Sequence, residues 1–380
     1  MENEEKAYSY WLHQIPGIGN KKAEELIQTA GSAKAVYFAS EKQLRQVLRQ
    51  KEWDNFRESI VSYKIKEEYE KLQRSGIKLV SKFEQGYPVR LKRIRDAPFL
   101  LYYLGELPEE AIPSLAIIGA RECSSYGSLM ASAFAGCAAE KGISVISGMA
   151  RGIDGISQEA ALKAGGRTYA VLGCGVDICY PSSNRSLYEE IVKTGGVLSP
   201  YPPGTKPART LFPYRNKIVA GLSDSVLVVE ARQKSGTLIT VDMALEQGKD
   251  VYAVPGRLTD RLSDGCNYLI RQGAGIVLSP EDLISEMIIL ENRQSRKREG
   301  LEKGNEKEVR EREYDEILRF LDLTPRTLEE ILEEMKKEGK EMPLSRLMME
   351  LILLCMEGTA KQVAGNCFVK SCKERENILQ

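Results

Sequence analysis

The feature that most constrains this chain is the alternation, between residues 114 and 279, of short apolar segments with stretches of helical character. Most of the apolar segments end at a glycine or a small residue, and the stretches between them are about 10–15 residues long. Apolar strands separated by such helices are typical of parallel βαβ units. The predicted strands are Ser114–Ala120, Ile143–Gly148, Thr168–Gly173, Val197–Ser199, Ser225–Ala231, Val251–Gly256 and Gly275–Ser279. The sequence therefore predicts an α/β fold with a mostly parallel sheet.

The 380 residues exceed the length of one typical domain, and their character changes along the chain. We predict a helical domain at 1–75, the α/β domain at 76–290, a charged linker at 291–313 and a compact unit at 314–380. The linker prediction rests on dense mixed charge with few apolar residues. In the last segment the predicted helices Tyr314–Leu321, Thr327–Lys337 and Leu344–Cys355 precede a small hairpin, as in a winged helix.

Composition excludes several classes of function. Lys+Arg and Asp+Glu both number 54, so a nucleic-acid site must come from a local cluster of basic residues. The single histidine, His13, lies far in sequence from every Gly-rich loop, and no Cys-x-x-Cys pair occurs, which argues against zinc sites and histidine-dependent catalysis. The scattered cysteines, the acidic start and the lack of a run of about 18 apolar residues favour a cytoplasmic protein. We expect no metal, no cofactor and no catalytic residue.

The residues that could bind a ligand follow the predicted strands, at the edge where ligands of such sheets bind. Glycines let the backbone approach a ligand, and a helix N-terminus attracts anions. We predict phosphate or DNA binding by Gly119, Arg121, Gly148, Arg151, Arg215, Asn216, Lys217, Ser235, Gly236 and Thr237, with Arg232 and Lys234 nearby. Two simpler interpretations stay open: Ser235 as an ordinary helix N-cap, and each arginine as a solvated surface residue.

Aromatic and acidic residues occur in the same loops. Exposed aromatic rings stack on unpaired bases, a contact worth about 1–3 kcal/mol per base, whereas packing within the loop is the alternative. Asp154 and Asp177 each follow a Gly-rich strand end, where aspartate commonly caps a helix or a turn. We therefore expect them to be structural. The candidate stacking residues are Tyr180, Tyr201, Phe212 and Tyr214.

A second candidate DNA contact lies near the N-terminus. The segment Ile15-Pro-Gly-Ile-Gly19 resembles the turn of a helix-hairpin-helix motif, in which backbone N–H groups contact phosphate. We predict secondary DNA contacts by Gly17, Gly19, Lys21 and Lys22. A helical packing or protein-interaction module that keeps the same turn is the alternative.

Several motifs follow one another in a fixed order. They include Ile118-Gly-Ala-Arg121, Ser147-Gly-x-Ala-x-Gly-Ile-Asp154, Tyr180-Pro-x-x-Asn184, Phe212-Pro-x-Arg-Asn216, Ser235-Gly-Thr-Leu-Ile-Thr240 and Ala253-Val-Pro-Gly256. Together they resemble the DNA-processing protein A family (DprA, also called Smf), densely over residues 76–290. The resemblance implies an extended Rossmann-like core that binds single-stranded DNA, forms a homodimer and loads the RecA recombinase onto DNA during natural transformation. It implies a mediator and not an enzyme, with single-strand-binding protein as a further candidate partner. Many members also carry a winged helix at the C-terminal end.

The sequence departs from the family pattern at three places. Ser157 and Gln158 replace the usual Ala-His, Pro200 replaces a glutamate, and Lys217 replaces an arginine, which loses the bidentate fork. Two other function classes stay open. One is a nucleotide-processing enzyme related to the lysine-decarboxylase-like phosphoribohydrolases, although their double-glycine turn is absent before Thr237. The other is a non-catalytic interaction scaffold.

Overall fold

A computed structural model describes residues 2–287, 317–322, 324–340, 342, 344–356, 359–363 and 367–370. The chain divides into two compact units, with the boundary between residues 289 and 290. The predicted linker at 291–313 lies outside the described residues, and the four-segment division of the sequence stays a prediction. No helix within the described ranges is long and apolar enough to cross a membrane.

A helical region opens the first unit. Its helices are α1 (Glu2–Gln14), α2 (Asn20–Ala30), α3 (Ala33–Phe38), α4 (Glu41–Leu44), α5 (Gln50–Ser62) and α6 (Ile65–Arg74). The ring of Trp11 on α1 meets that of Phe56 on α5 with centroids 5.4 Å apart. The same buried cluster includes Leu79 and Tyr102, which lie on strands of the sheet. The helical region and one edge of the sheet therefore share a hydrophobic core.

The sheet of the first unit has nine strands. They are β1 (Lys78–Ser81), β2 (Leu100–Gly105), β3 (Ser114–Ile118), β4 (Ser144–Ser147), β5 (Thr168–Val171), β6 (Gly196–Ser199), β7 (Ser225–Val228), β8 (Asp250–Ala253) and β9 (Gly275–Ile276). Their order is β1-β2-β6-β5-β4-β3-β7-β8-β9. All seven strands from β3 to β9 pair in parallel, which confirms the predicted parallel sheet. β2 runs antiparallel to both β1 and β6, so a hairpin extends the sheet at one edge.

Both faces of this sheet are covered by helices. Successive strand residues belong to different cores: Ala116 and Ile118 pack on one side, and Leu115 and Ile117 on the other, as expected from the alternation of side chains along a strand. Residues 281–287 are helical as well. The helices of the sheet region are α7 (Val89–Lys92), α8 (Ser125–Glu140), α9 (Ile153–Lys163), α10 (Arg185–Thr194), α11 (Phe212–Leu222), α12 (Gly236–Glu246) and α13 (Asp264–Arg271).

The strand order reverses direction at β3. Strands β3 to β6 follow one another to one side, whereas β7, β8 and β9 continue from β3 to the other side. The loops that follow β3 and β7 therefore diverge, and they leave a crevice at the carboxyl ends of the strands. In open α/β sheets this switch point is where ligands bind.

The second unit contains a small antiparallel sheet in the order β10 (Arg326–Thr327), β12 (Cys367–Lys370), β11 (Ala360–Val363). Among the residues that the structure describes, the helices α14 (Leu328–Lys337) and α15 (Leu344–Met356) accompany it. Thr327 caps α14 reciprocally with Glu330 in a capping box, which accounts for the predicted helix start. Residues 314–316 of the first predicted helix lie outside the described residues.

Candidate nucleic-acid interface

A cavity of about 260 Å³ opens at the carboxyl ends of β3, β4 and β5. It is lined by residues from the loops after these strands and from the start of α11. The lining residues are Arg121, Glu122, Gly148, Ala150, Arg151, Gly173, Tyr180, Pro181, Phe212 and Arg215. We call this cavity the strand-end pocket. Four predicted site residues, Arg121, Gly148, Arg151 and Arg215, are thus brought together.

The ring of Phe212 is the centre of the strand-end pocket. It stacks on the ring of Tyr180 with centroids 5.9 Å apart and an interplanar angle of 29°. The guanidinium carbons of Arg121 and Arg215 lie 5.6 and 5.5 Å from its centroid, within the range of cation–π attraction. Gly173 permits this packing, since a Cβ there would come 2.6 Å from the Phe212 ring. An aromatic platform flanked by two cations results.

Arg215 is a buried residue that holds the loops around the pocket. Its side chain is 5% exposed and donates to the carbonyl of Gly148, to the carbonyl of Val171 at 2.8 Å and to Oδ1 of Asn216 at 2.9 Å. Burial lowers the pKa of Arg215. A Cβ on Gly148 would overlap the guanidinium, so glycine is required there. Arg215 therefore ties together the loops after β4 and β5.

The carboxylates of Asp154 and Asp177 both accept hydrogen bonds from backbone N–H groups. Asp154 is buried and accepts from the N–H of Gly148 at 3.2 Å. Burial raises the pKa of its carboxyl group, and the nearby charge of Arg215 opposes that rise. Both carboxylate oxygens of Asp177 lie 2.9 Å from the N–H of Gly204 and cap that turn. Neither carboxylate lines the strand-end pocket.

The carboxylate of Glu230, in the loop after β7, also accepts hydrogen bonds from the protein. It is buried and accepts from the N–H of Ser124 at 2.9 Å and from the Ser124 hydroxyl. Its carboxylate occupies the space at Gly127, where a Cβ would overlap it. Negative charge is favoured at the start of a helix, and α8 begins at Ser125. Glu230 therefore anchors α8 to the neighbouring strand.

Several exposed cations follow the strands of the sheet or precede α11. Arg121 and Arg151 are exposed, and neither forms an ion pair with any residue that the structure describes. The same holds for Arg232 and Lys234 in the loop after β7. Arg209, in a 3-10 turn directly before α11, is exposed too and was missed by the sequence analysis. The signal that would have found it is a basic residue three positions before an aromatic pocket residue.

The turn Ser235–Thr237 lies next to the loop after β3 but does not line the pocket. Thr237 Oγ1 donates to the carbonyl of Gly119 at 3.2 Å. Ser235 precedes α12, yet its side chain makes no capping hydrogen bond, and its buried Oγ has no partner among the described residues. Ser235 therefore occupies the N-cap position without a side-chain capping bond. The N–H groups that open α12 keep no side-chain cap.

Lys217 points away from the pocket. Its ammonium group lies 3.4 Å from a carboxylate oxygen of Asp96, and its side chain is 18% exposed. Asn216 serves the pocket indirectly, through its hydrogen bond with Arg215. Of the adjacent predicted residues Arg215, Asn216 and Lys217, only Arg215 reaches the pocket lining.

The helical hairpin has the predicted turn. Gly17 adopts a φ of +87°, which favours glycine, and Gly19 precedes α2. Lys22 forms an ion pair with Glu52 on α5, which neutralises it. Lys21 is exposed and lies 4.0 Å from Glu25. Lys21 is therefore the more accessible of the two predicted lysine contacts.

Comparison with known proteins gives the family. The family model described as DNA recombination-mediator protein A matches residues 78–288. The chain belongs to this family. The match begins at β1 and includes every strand of the nine-stranded sheet, together with every residue of the strand-end pocket.

Individual relatives agree with that assignment. The chain is 44% identical over 201 residues to the DNA processing protein DprA of Streptococcus pneumoniae, covering 53% of this chain and 71% of the relative. It is 34% identical over 302 residues to protein Smf of Synechocystis, covering 76% and 74%. The X-ray structure of the Streptococcus pneumoniae protein matches with a TM-score of 0.66 and 34% identity over 74% of this chain and 97% of that chain.

A second solved relative is DNA processing protein A from Helicobacter pylori, whose structure concerns a single-stranded DNA binding mode. It matches with a TM-score of 0.51 and 29% identity, covering 56% of this chain and 95% of that chain. The family resemblance inferred from the sequence motifs is confirmed by these matches.

Proposed function

We propose that this recombination-mediator protein binds single-stranded DNA in the strand-end pocket. An unpaired base would stack on Phe212 and Tyr180, and Arg121 and Arg151 would neutralise the adjoining phosphates. The observation that carries the proposal is the stacked Tyr180–Phe212 pair with the guanidinium of Arg121 5.6 Å from the Phe212 centroid. Aromatic stacking beside unpaired cations is the chemistry by which proteins hold single strands.

The shape of the pocket favours a single strand over a duplex. A cavity of about 260 Å³ accommodates a base or a nucleotide and cannot admit a paired helix. A duplex shields the faces of its bases from such a platform, whereas a single strand can turn a base outward. A reader of double-stranded DNA instead inserts a helix or ribbon into the major groove.

The proposal extends to the neighbouring cations and turns. Arg232, Lys234 and the uncapped turn Ser235–Thr237 would contact the backbone on one side of the pocket, with Gly119 placing that turn. The hairpin at Gly17 and Gly19, with Lys21, would supply a secondary contact. Asn216 and Lys217 would act as supports of α11 and not as DNA ligands. The second unit would act as a winged-helix-like module.

We also propose that the protein is a mediator without catalytic activity. The acids that follow the strands, Asp154, Asp177 and Glu230, are each bound to backbone N–H groups. Across the part of the chain that the structure describes, no group of three or more His, Cys, Asp or Glu residues could hold a metal ion. The lining of the strand-end pocket holds one further acid, Glu122, which directly follows Arg121 in the sequence. As the family resemblance implies, the protein would deliver RecA to DNA, with single-strand-binding protein as a further partner.

The experiment that tests single-strand binding is a salt series of fluorescence anisotropy with a labelled oligonucleotide, single-stranded or duplexed. We expect preference for the single strand and no dependence on its sequence. Each neutralised phosphate contributes a slope of about −0.7 to log K against log salt for single strands. Contacts by Arg121, Arg151, Arg232 and Lys234 would therefore give a total slope of about −3. Equal or tighter binding of the duplex, or hydrolysis of the oligonucleotide, would contradict the proposal.

The β9 edge of the sheet, which pairs with no further strand among the described residues, supports a homodimer. β9 ends the strand order, and the apolar side chains of Ile276 and Leu278 at this edge are 46% and 78% exposed. Tyr268 on α13, the helix that precedes β9, is 41% exposed. An edge strand with exposed apolar groups is a ready surface for pairing with a second copy.

We expect the double variant Ile276→Asp, Leu278→Asp to be monomeric, because buried carboxylates at this edge would repel across a two-fold interface. Light scattering after size-exclusion chromatography measures the mass. The control is Leu129→Asp on α8, whose side chain is 63% exposed on a different helix. A double variant with the mass of the parent dimer, or a monomeric parent, would refute dimerisation through β9.

A further inference from the structure

We infer that Asn20, in the helical region, positions the pocket helix α11 for single-strand binding by way of Tyr214. This inference rests on the proposed function of the strand-end pocket. Asn20 is the first residue of α2 and directly follows the hairpin turn at Gly17 and Gly19. It is not part of the pocket lining, so its effect on DNA would be indirect.

The side-chain amide of Asn20 links two parts of the fold. Its Oδ1 accepts from the backbone N–H of Phe99 at 3.0 Å, just before β2, and its Nδ2 donates to the hydroxyl of Tyr214 at 2.7 Å. A backbone N–H can only donate, so the amide oxygen must face Phe99 and the amide nitrogen must face Tyr214. The orientation of the amide is thus fixed by its two partners.

Tyr214 connects Asn20 to the first turn of α11. Its hydroxyl donates to the carbonyl of Asp96 at 3.0 Å, and its ring meets the ring of Tyr201 with centroids 6.3 Å apart. Burial raises the pKa of Tyr214, so the hydroxyl keeps its proton and its donor role. Lys217 adds an ion pair to the Asp96 carboxylate one turn further on. The outer side of α11 is therefore anchored at consecutive turns.

The inner side of the same helix holds the DNA site. Phe212 and Arg215 flank Tyr214 in the sequence and line the strand-end pocket. The Phe212 ring must stay stacked on Tyr180 and within reach of Arg121, and such contacts fade when a ring moves by a fraction of an ångström to an ångström. Loss of the Asn20–Tyr214 hydrogen bond would loosen the first turn and misplace the platform without removing any DNA-contacting group.

The test compares Asn20→Ala, Tyr214→Phe and the double variant with the parent. Two quantities are measured: the Kd for a single-stranded oligonucleotide, and the quenching of a 2-aminopurine base in that oligonucleotide at saturating protein. We expect each single variant to bind about fivefold more weakly and to quench less, because the base stacks on a displaced ring. Because Asn20 would reach α11 through its hydrogen bond with Tyr214, the double variant should bind no more weakly than Tyr214→Phe alone.

The matched control is Lys82→Met. Lys82 forms an ion pair with Glu24, one helical turn after Asn20 on α2, at 2.8 Å. It belongs to the same interface between the helical region and the sheet, and its ion pair with Glu24 does not involve a residue of α11. We expect this variant to bind and to quench like the parent. A similar loss of quenching in Lys82→Met would show a general loosening of the interface and would overturn the specific role of Asn20.

The inference and the proposed function fail in different ways. If Arg121→Ala weakens binding while Asn20→Ala and Tyr214→Phe bind and quench like the parent, only the positioning role is overturned. Additive losses in the double variant would overturn it as well, because Asn20 would then act independently of Tyr214. If Arg121→Ala itself binds like the parent, the strand-end pocket is not the DNA site.

Discussion

Replacing Arg215 with methionine is expected to lower the free energy of unfolding by about 3–5 kcal/mol, because several buried polar groups lose their partner at once. The carbonyls of Gly148 and Val171 lose their donor, and the buried Asp154 loses its nearby cation. Methionine nearly fills the volume, so packing alone accounts for little of the loss.

Chemical denaturation monitored by circular dichroism measures this loss. We expect single-strand binding to fall too, since Arg215 holds the loops that carry Gly148 and Gly173. The control is Arg167→Met. Arg167 is an exposed arginine that pairs with Glu109 and precedes β5, at the amino end of that strand and not at the carboxyl end where the strand-end pocket lies. A stability of Arg215→Met within about 1 kcal/mol of the parent would show that this guanidinium is not the structural tie described above.

The second large effect is expected on the affinity for single-stranded DNA, with little change in the free energy of unfolding. Arg121→Ala should raise the Kd for a single strand at least about tenfold, or about 1.4 kcal/mol, since it removes a phosphate partner and a cation from the Phe212 platform. Arg121 is exposed, and its guanidinium lies over the Phe212 ring. Its removal should therefore change the free energy of unfolding by less than about 0.5 kcal/mol.

Anisotropy titration at fixed salt and denaturation of the same preparation give the two quantities. Arg167→Ala serves as the control here, because it removes one exposed arginine at the amino end of β5 and changes the net charge by the same amount as Arg121→Ala. Unchanged affinity in folded Arg121→Ala would remove this residue from the site. Arg121 and Arg215 thus form a pair in which one arginine controls affinity and the other controls stability.

The positions of the strands were predictable because their signal is local. Each of the seven predicted strands from Ser114 to Ser279 overlaps an observed strand, although β6 and β8 begin one residue earlier and most observed strands end earlier than predicted. Buried parallel strands are continuous apolar runs, and glycine marks the tight loops that follow them. The hairpin of β1 and β2 was not predicted as part of the sheet, because the pairing of β2 with β6 joins segments about 95 residues apart and leaves no local pattern.

The start of α11 shows why the site was only partly predictable. The observed helix begins at Phe212, with Pro213 in its first turn. With the observed start, helical geometry places Arg215 about 60° from Phe212 and Lys217 about 140° from it. Arg215 therefore shares the pocket side with Phe212, and Lys217 faces Asp96 instead. Lys217 was predicted in the site because it follows Arg215 and Asn216 in the family motif, and adjacency in the sequence does not show which side of a helix a residue occupies.

The sequence by itself determined the parallel sheet, the family and the edge at which basic and aromatic loops gather. These follow from apolar periodicity, from glycine positions and from motifs that stand in a fixed order. Only the tertiary structure decided which arginine is buried and which is exposed, since Arg121 and Arg215 are equally basic and both follow the family motifs. Burial depends on what packs around a side chain: Arg215 meets the carbonyls of two neighbouring loops, whereas Arg121 meets one face of Phe212 and solvent.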